Sequence, residues 1–174
     1  MEMRNRVLRF VAYSLEILLF FILQGVPNLI PEVLGGKPLL ILPIALTIAC
    51  FEKEETAMVF GVAVGVMMDL GYSAHIGFYT IALTIVCYLV GYVTENVFNT
   101  NLLTAVAISV LAIPVVLSLY FLFSYVIRGY DYAGYYYLHH TLPTIIYTFL
   151  TVPIFYGVNR ALSRGFSESD FYYM

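Results

Sequence analysis

The chain has 174 residues, of which 61% are hydrophobic and only 11% are charged. Soluble domains are roughly 45–50% apolar and about 25% charged, so this composition excludes an ordinary soluble fold. The formal net charge is -3 and the sequence has no dense basic run, which excludes binding to a nucleic acid backbone. We therefore expect one all-helical domain embedded in a membrane.

Six apolar stretches are candidates for membrane crossing, because a helical span needs about 20 mostly apolar residues. In chain order they cover residues 7–25, 33–51, 56–70, 76–93, 102–127 and 141–158. Charges at residues 52–55 separate the second stretch from the third, since each charge at mid-bilayer would cost about 2.5–3.5 kcal/mol. The sequence thus predicts a compact bundle of six transmembrane helices over residues 1–162, followed by a short cytoplasmic tail over 163–174.

The first stretch follows three arginines, a pattern that it shares with secretory signal peptides. No cleavage site with small residues comes after it, so we expect a retained helix whose N-terminus is cytoplasmic. Glu16 lies inside this stretch, where a carboxyl group should face protein rather than lipid. An intramembrane acid of this kind is a candidate functional residue.

Small residues recur every four positions in the third stretch and line one face that ends in a carboxylate. The members of this small-residue face are Ala57, Gly61, Gly65 and Asp69. The fourth stretch has a related face between Gly77 and Gly91. Because helices in lipid associate through close packing and polar contacts, such faces mark contacts. Two interpretations remain open: a groove that docks a partner, or packing of the third helix against the fourth.

Tyrosines are concentrated between the fifth and sixth stretches, at a predicted membrane boundary. They are Tyr130, Tyr132, Tyr135, Tyr136 and Tyr137. Tyrosine rings favour the headgroup level of a bilayer, and tyrosine is also enriched at binding hot spots. The segment is interpreted either as an aromatic belt or as an outer contact loop for a partner.

The basic residues indicate the orientation of the six predicted spans. Six of the eight fall on the side that holds both termini and the turn at residues 52–55. They are Arg4, Arg6, Arg9, Lys53, Arg160 and Arg164, and only Lys37 and Arg128 fall on the opposite side. The positive-inside rule therefore predicts a multi-pass protein with cytoplasmic N- and C-termini.

Catalytic and metal-binding motifs are missing from the sequence. It has no phosphate-binding loop, no nucleophile elbow and no paired-histidine metal motif. His75, His139 and His140 have none of the spacings typical of a zinc site, and with the aspartates they form no recognised hydrolase set. We expect no enzymatic activity, no cofactor and no bound metal.

The central part of the chain carries a pattern that supports a family assignment. Pro38-Leu39 opens a short apolar helix, an acidic turn follows, and then come Phe60-Gly61-x-x-x-Gly65-x-x-x-Asp69-x-Gly71, Gly77 and Gly91-Tyr92. This pattern resembles the rod shape-determining protein MreD family.

The resemblance implies a noncatalytic scaffold subunit of the cell-wall elongation machinery in the bacterial plasma membrane. MreC is the implied direct partner, while MreB, RodA and a penicillin-binding transpeptidase are implied indirect partners. The implied role is to help determine rod shape by positioning lateral peptidoglycan synthesis.

The MreD bundle is also similar to the six-helix substrate-binding subunits of vitamin uptake transporters. This similarity implies an alternative function, the binding of a small molecule for uptake. Those subunits dock their transporter through small residues such as Ala-x-x-x-Ala on the first helix, whereas here Glu16 follows Ala12 by four residues. The difference favours the scaffold.

Overall fold

Helices account for the regular structure in the part of the chain that the computed structural model describes. The described residues are 2–26, 29, 31–32, 35–73, 76–96, 101–129 and 132–168, without the side chains of residues 2–6, 133 and 166–168. In order, the helices are α1 (Glu2–Gly25), α2 (Ile41–Phe51), α3 (Glu54–Gly71), α4 (Phe78–Asn96), α5 (Leu102–Phe121), α6 (Ala133–Tyr136) and α7 (Leu142–Glu168). Two π-helical turns, Leu122–Val126 and Tyr137–Thr141, extend α5 and precede α7.

Four helical segments are long and apolar enough to cross a membrane. They are Val7–Gly25, Phe78–Asn96, Leu102–Val126 and Gly134–Gly165. These segments overlap the first, fourth, fifth and sixth stretches predicted from the sequence. The prediction of an all-helical membrane protein is confirmed at this level.

The second predicted stretch is wrong in its first half, because α2 begins only at Ile41. Gly35 has a φ of 82°, a left-handed conformation outside the helical region. Pro38 also disfavours a helical conformation at the residue before it. Residues 33 and 34 lie outside the described residues. The 11 residues of α2 make a helix about 16 Å long, which is too short to cross a bilayer alone.

α2 is the central helix of the bundle. All ten residues from Ile41 to Cys50 are buried, and α2 contacts α1, α3, α4, α5 and α7. Its residues are apolar on every face apart from Thr47, and a helix that is hydrophobic all round is buried among others. The short length and the strong hydropathy of α2 therefore have one cause, its enclosure by longer helices.

α7 continues to Glu168, beyond residue 163 where the cytoplasmic tail was expected to start. Leu162, near this end of α7, still packs against the hydrophobic core. Residues 169–174 lie outside the described residues. The helical part of this end is thus longer than the sequence analysis assigned.

The polar contacts between helices define two ends of the bundle. At the first end, Arg9 of α1 pairs with Glu52 in the turn between α2 and α3. At the second end, the Tyr72 hydroxyl donates a hydrogen bond of 2.9 Å to the Phe21 carbonyl oxygen. Burial raises the pKa of Tyr72, so its phenol remains a donor. Both ends of α1 are tied to the rest of the bundle by these contacts.

Candidate functional site

The small-residue face of α3 lies against α4. A Cβ atom added to Gly61 would lie 2.7 Å from the Leu83 carbonyl oxygen, and one added to Gly65 would lie 2.8 Å from the Thr80 amide nitrogen. A Cβ atom at Gly91 would lie 2.8 Å from the Glu54 Cα. Glycine is required at these three positions because the two backbones approach so closely. The face considered as a partner groove is therefore filled by α4.

Asp69 joins α3 to the beginning of α4. Its carboxylate is 3% exposed and accepts hydrogen bonds from the backbone N–H groups of Gly77 (3.0 Å), Tyr79 (2.9 Å) and Thr80 (2.9 Å). The Thr80 hydroxyl donates a fourth hydrogen bond of 2.6 Å. The first N–H groups of a helix have no acceptor within that helix, and a negative charge there is stabilised by the helix dipole. Asp69 is thus the cap of α4, supplied by the neighbouring helix.

Gly71 and Gly77 belong to the same family pattern but have different local roles. A Cβ atom at Gly71 would lie 2.8 Å from the Phe21 ring, so this glycine lets α1 approach the end of α3. Gly77 has a φ of 98° and open space around it, so the turn conformation rather than packing calls for glycine. Together with Asp69 they shape the connection from α3 to α4.

Two tyrosines of the tyrosine-rich segment pack against α5 and the π-helical turn that follows it. The Tyr136 ring lies 4.6 Å from the Tyr125 ring, which in turn stacks 5.0 Å from Phe121. The Tyr137 hydroxyl lies 2.8 Å from the Ser118 hydroxyl. These contacts join the π-helical turn after α5 to the one before α7. Tyr136 and Tyr137 therefore help to close the second end of the bundle.

Two other tyrosines of this segment point outward. Tyr132 is 85% exposed and has a left-handed φ of 64°, while Tyr135 is 64% exposed and stacks on His139 at 4.0 Å. Tyr130 lies outside the described residues. The predicted contact loop thus divides into two tyrosines that contact neighbouring side chains, of which Tyr136 is still 37% exposed, and two that are more than half exposed.

Glu16 lies on the face of α1 that packs against the bundle. It is 8% exposed, and neither oxygen of its carboxyl group has a hydrogen-bond partner among the described residues. Leu15 and Leu19, beside it on α1, are exposed on the outer face. The acid is therefore directed into the protein, away from the lipid-facing leucines.

The ion pair of Arg9 and Glu52 was missed by the sequence analysis, which placed Glu52 in a solvated turn. Arg9 Nε lies 2.8 Å from Glu52 Oε1, and Arg9 Nη2 donates a hydrogen bond of 3.0 Å to Oε2. The Glu52 side chain is almost wholly buried. Since 43 residues separate the two partners, only the packing of α1 on the α2–α3 turn brings them together.

A second missed polar contact joins α2 and α7. Asn159 is fully buried, and its Nδ2 donates a hydrogen bond of 2.9 Å to Thr47 Oγ1. A polar residue that directly follows an apolar stretch was the available signal, but nothing in the sequence identifies the partner. This contact fixes α7 against the central helix.

An apolar cavity of about 680 Å³ separates parts of α4 and α5. Its lining includes Val90, Ala107 and Leu111, and Thr104 contributes its only polar side chain. Small-molecule sites normally add a few precisely placed polar groups to an apolar lining, and this cavity has one polar side chain in its lining.

Within the described ranges, no three His, Cys, Asp or Glu side chains form a metal-binding group, and His75 lies outside those ranges.

The close packing of α3 on α4 gives a physical role to the glycines and the aspartate of the sequence pattern. A comparison with protein families matches a part of the chain that contains this pattern. A family model described as rod shape-determining protein MreD matches residues 4–165. The chain belongs to the MreD family. The match includes α1 and most of α7, so the family assignment extends well beyond the central pattern, and membership supports a role in determining cell shape.

No curated protein and no solved structure matches the chain. The similarity of its fold to the substrate-binding subunits of vitamin uptake transporters therefore stays a prediction. The MreD assignment rests on the family match alone.

Proposed function

We propose that this MreD family member is a noncatalytic scaffold of the bacterial cell-wall elongation machinery that binds MreC and positions lateral peptidoglycan synthesis. The observation that carries the proposal is the family match over residues 4–165. MreB, RodA and a penicillin-binding transpeptidase are indirect partners. The mechanism is positional, because a scaffold can act by changing the location or the active-state population of the protein that it holds.

The scaffold crosses the membrane six times, so that α2 and α3 add two crossings to the four long apolar helices. Leu40 is already helical, with a φ of -62° and a ψ of -31°, so it and α2 together provide about 18 Å. The four residues before Leu40 are not helical and provide roughly another 13 Å, with Lys37 toward the outer surface, so that the whole segment matches a hydrocarbon core about 30 Å thick. Such backbone is tolerated at membrane depth only where protein encloses it. Gly36 and Pro38 are buried, which supports a second span that is part extended and part helical.

Side chains from other helices support this extended segment. The Leu39 N–H donates a hydrogen bond of 3.0 Å to Thr148 Oγ1 of α7, and the Ile41 N–H donates one of 3.3 Å to Gln24 Oε1 of α1. Backbone groups in hydrocarbon must be satisfied within the protein, and these bonds meet that demand before α2 begins.

The exposed tyrosine pair is the proposed contact for the part of MreC outside the cytoplasm. Tyr132 and Tyr135 lie near the second end of the bundle, which faces away from the cytoplasm when both termini are cytoplasmic. Exposed tyrosines supply large, rigid and partly polar contact area, which is why they recur at binding hot spots. Since α4 fills the small-residue face, this pair is the better candidate contact.

The test is recovery of MreC with the tagged protein from native cells in mild detergent, quantified by mass spectrometry. The double variant Tyr132→Ser, Tyr135→Ser should recover at least about tenfold less MreC, because losing hot-spot contacts costs roughly 1–3 kcal/mol. Tyr92→Ser is the matched control, since Tyr92 is a half-exposed tyrosine near the first end. Its MreC recovery should equal that of the wild type.

The outcomes separate the scaffold from its contact surface. If the wild-type protein retains no wall-synthesis protein, the scaffold proposal is overturned. If it instead retains a transporter energising module or a vitamin, the uptake alternative replaces the scaffold. Equal MreC recovery by the wild type and the double variant, with MreC clearly present, overturns only the tyrosine contact.

A further inference from the structure

Two buried polar side chains, one on α1 and one on α7, have unsatisfied oxygen atoms. Glu16 has no hydrogen-bond partner for either carboxyl oxygen among the described residues, and Asn159 has none for Oδ1. Both residues are more than nine-tenths buried. An unsatisfied polar group away from water costs several kcal/mol, so three acceptor atoms without donors require a physical explanation.

The packing of α1 on α7 places these two residues at one level. The Phe20 ring of α1 packs edge-on against the Phe155 ring of α7, with 4.8 Å between their centroids. The two helices run in opposite directions between the two ends of the bundle. Glu16 lies four residues before Phe20, and Asn159 lies four residues after Phe155. Residues four apart share a helix face, so Glu16 and Asn159 both lie one turn nearer the first end.

We propose that Glu16 and Asn159 form an intramembrane proton-binding site, in which the carboxyl group of Glu16 holds a proton and donates it to Asn159 Oδ1. An ionised carboxylate has only acceptors, as has the amide oxygen, whereas a neutral carboxylic acid supplies one donor. The Asn159 amide nitrogen is already bonded to Thr47 Oγ1, which leaves Oδ1 as the atom in need of a donor. A single proton therefore gives Asn159 Oδ1 its donor, turns one Glu16 oxygen into that donor and removes a charge from the membrane interior, so that of the three atoms only the Glu16 carbonyl oxygen still has no partner among the described residues.

The charged groups around the site favour the neutral acid. On α1, Arg9 forms a two-point ion pair with Glu52 and is thereby committed to another carboxylate. Glu52, at the end of α2, adds a negative charge near the first end. On α7, Tyr156 is buried and Arg160 is exposed. On α3, the Phe60 ring packs edge-on against the ring of Tyr13, which lies three residues before Glu16 on α1.

The bound proton stabilises the contact of α1 with α7. A neutral Glu16 contributes a hydrogen bond across the interface, whereas an ionised Glu16 would leave an uncompensated charge between two helices. This proton site does not depend on the proposed scaffold function.

Infrared spectroscopy of the full-length protein in lipid vesicles tests the inference directly. At neutral pH the wild type should show the C=O stretch of a protonated carboxyl group, and Glu16→Gln should lack it. Glu55→Gln is the matched control, because Glu55 is exposed on α3 and its replacement should leave the band unchanged. An identical band in the wild type and Glu16→Gln would overturn the proposal.

A second variant tests the partner of the proton. Asn159→Leu removes the acceptor, so the band of Glu16 should shift toward the frequency of a free carbonyl while remaining present. An unshifted band would overturn the pairing with Asn159.

Wild-type stability provides a measurement that needs no variant to fold. A glutamate in an unfolded chain loses its proton at a pH of about 4.3, whereas the folded site keeps it, so stability falls as the pH rises above about 4.3. The unfolding temperature should fall throughout the pH range in which the folded protein still shows the carboxyl band, and it should level off once the band has disappeared. An unfolding temperature that stays constant over this whole range would overturn the proposed link between the proton and the packing of α1.

Discussion

The structure explains why the sequence pattern shared with the family contains an aspartate at position 69. The sequence singled it out as the carboxylate that ends the small-residue face of the third apolar stretch. The structure buries it and directs four donors at its oxygens. The acceptor belongs to α3 and the donors to the turn and first residues of α4, so capping here also joins two helices.

Replacing Asp69 with alanine should destabilise the protein by more than about 2 kcal/mol. Hydrogen bonds to a charged group contribute roughly 1.5–3 kcal/mol, and the variant leaves buried N–H groups without an acceptor. Thermal unfolding in detergent, followed by circular dichroism, measures the loss. Glu55→Gln changes an exposed carboxylate of the same helix and should leave the unfolding temperature unchanged. Equal stability of Asp69→Ala and the wild type would refute the capping role.

The glycines of α3 can be tested against a glycine in open space. Gly65→Ala places a Cβ atom against the Thr80 backbone, so α3 and α4 must separate at a cost of about 1–3 kcal/mol. Gly157→Ala, in α7, meets no atom within 4 Å and should be neutral or stabilising by up to about 1 kcal/mol through helix propensity. The same unfolding measurement distinguishes them. If both substitutions change the unfolding temperature equally, the close approach of α3 and α4 at Gly65 does not contribute to stability.

At the scale of helices, hydropathy predicted the long helices that lipid contact requires, but it did not predict the features that depend on contacts between helices. The four long apolar helices were recognisable because their sequences must satisfy the bilayer over a full span. The apolar stretch put the start of α2 too early, at residue 33, whereas the family pattern, with a short helix opening at Pro38-Leu39, came close to the observed start at Ile41. Hydropathy could not reveal the contact that supports the segment before α2, since Leu39 meets its acceptor Thr148 across 109 residues. The same limit hid the contact between Asn159 and Thr47, whose partners are brought together only by the finished bundle.

The extended segment before α2 should depend on the Thr148 hydroxyl. Thr148→Val keeps the shape of the side chain but leaves the Leu39 N–H unsatisfied, which should cost about 1–3 kcal/mol of unfolding free energy. Thr151→Val is the control, because the Thr151 hydroxyl donates only to the Thr148 carbonyl oxygen within α7. Denaturation in detergent should therefore rank Thr148→Val as the less stable variant. The reverse order would show that the segment is held by packing alone.

The whole molecule is organised by the difference between its two ends. The first end combines the ion pair of Arg9 and Glu52 with Lys53, and the basic residues Arg160 and Arg164 of α7 lie toward the same end. The second end carries Lys37, Arg128 and exposed aromatic rings. This asymmetry is the pattern that the positive-inside rule associates with a cytoplasmic first end. In the proposed topology, the exposed tyrosines would then face a partner outside the cytoplasm.

The number of crossings can be decided by two lysines that flank α2. With six spans, Lys37 lies outside the cytoplasm and Lys53 lies inside, whereas a chain that crosses only with its four long helices leaves both on the same side. In a variant with Cys50 and Cys87 replaced by alanine, Lys37→Cys should react with a membrane-impermeant maleimide in intact cells. Lys53→Cys should react only after permeabilisation. The permeabilised sample is also the control that both cysteines can react with the maleimide. Reaction of Lys53→Cys in intact cells would reduce the topology to four crossings, because α2 and α3 would then both remain on the outer side.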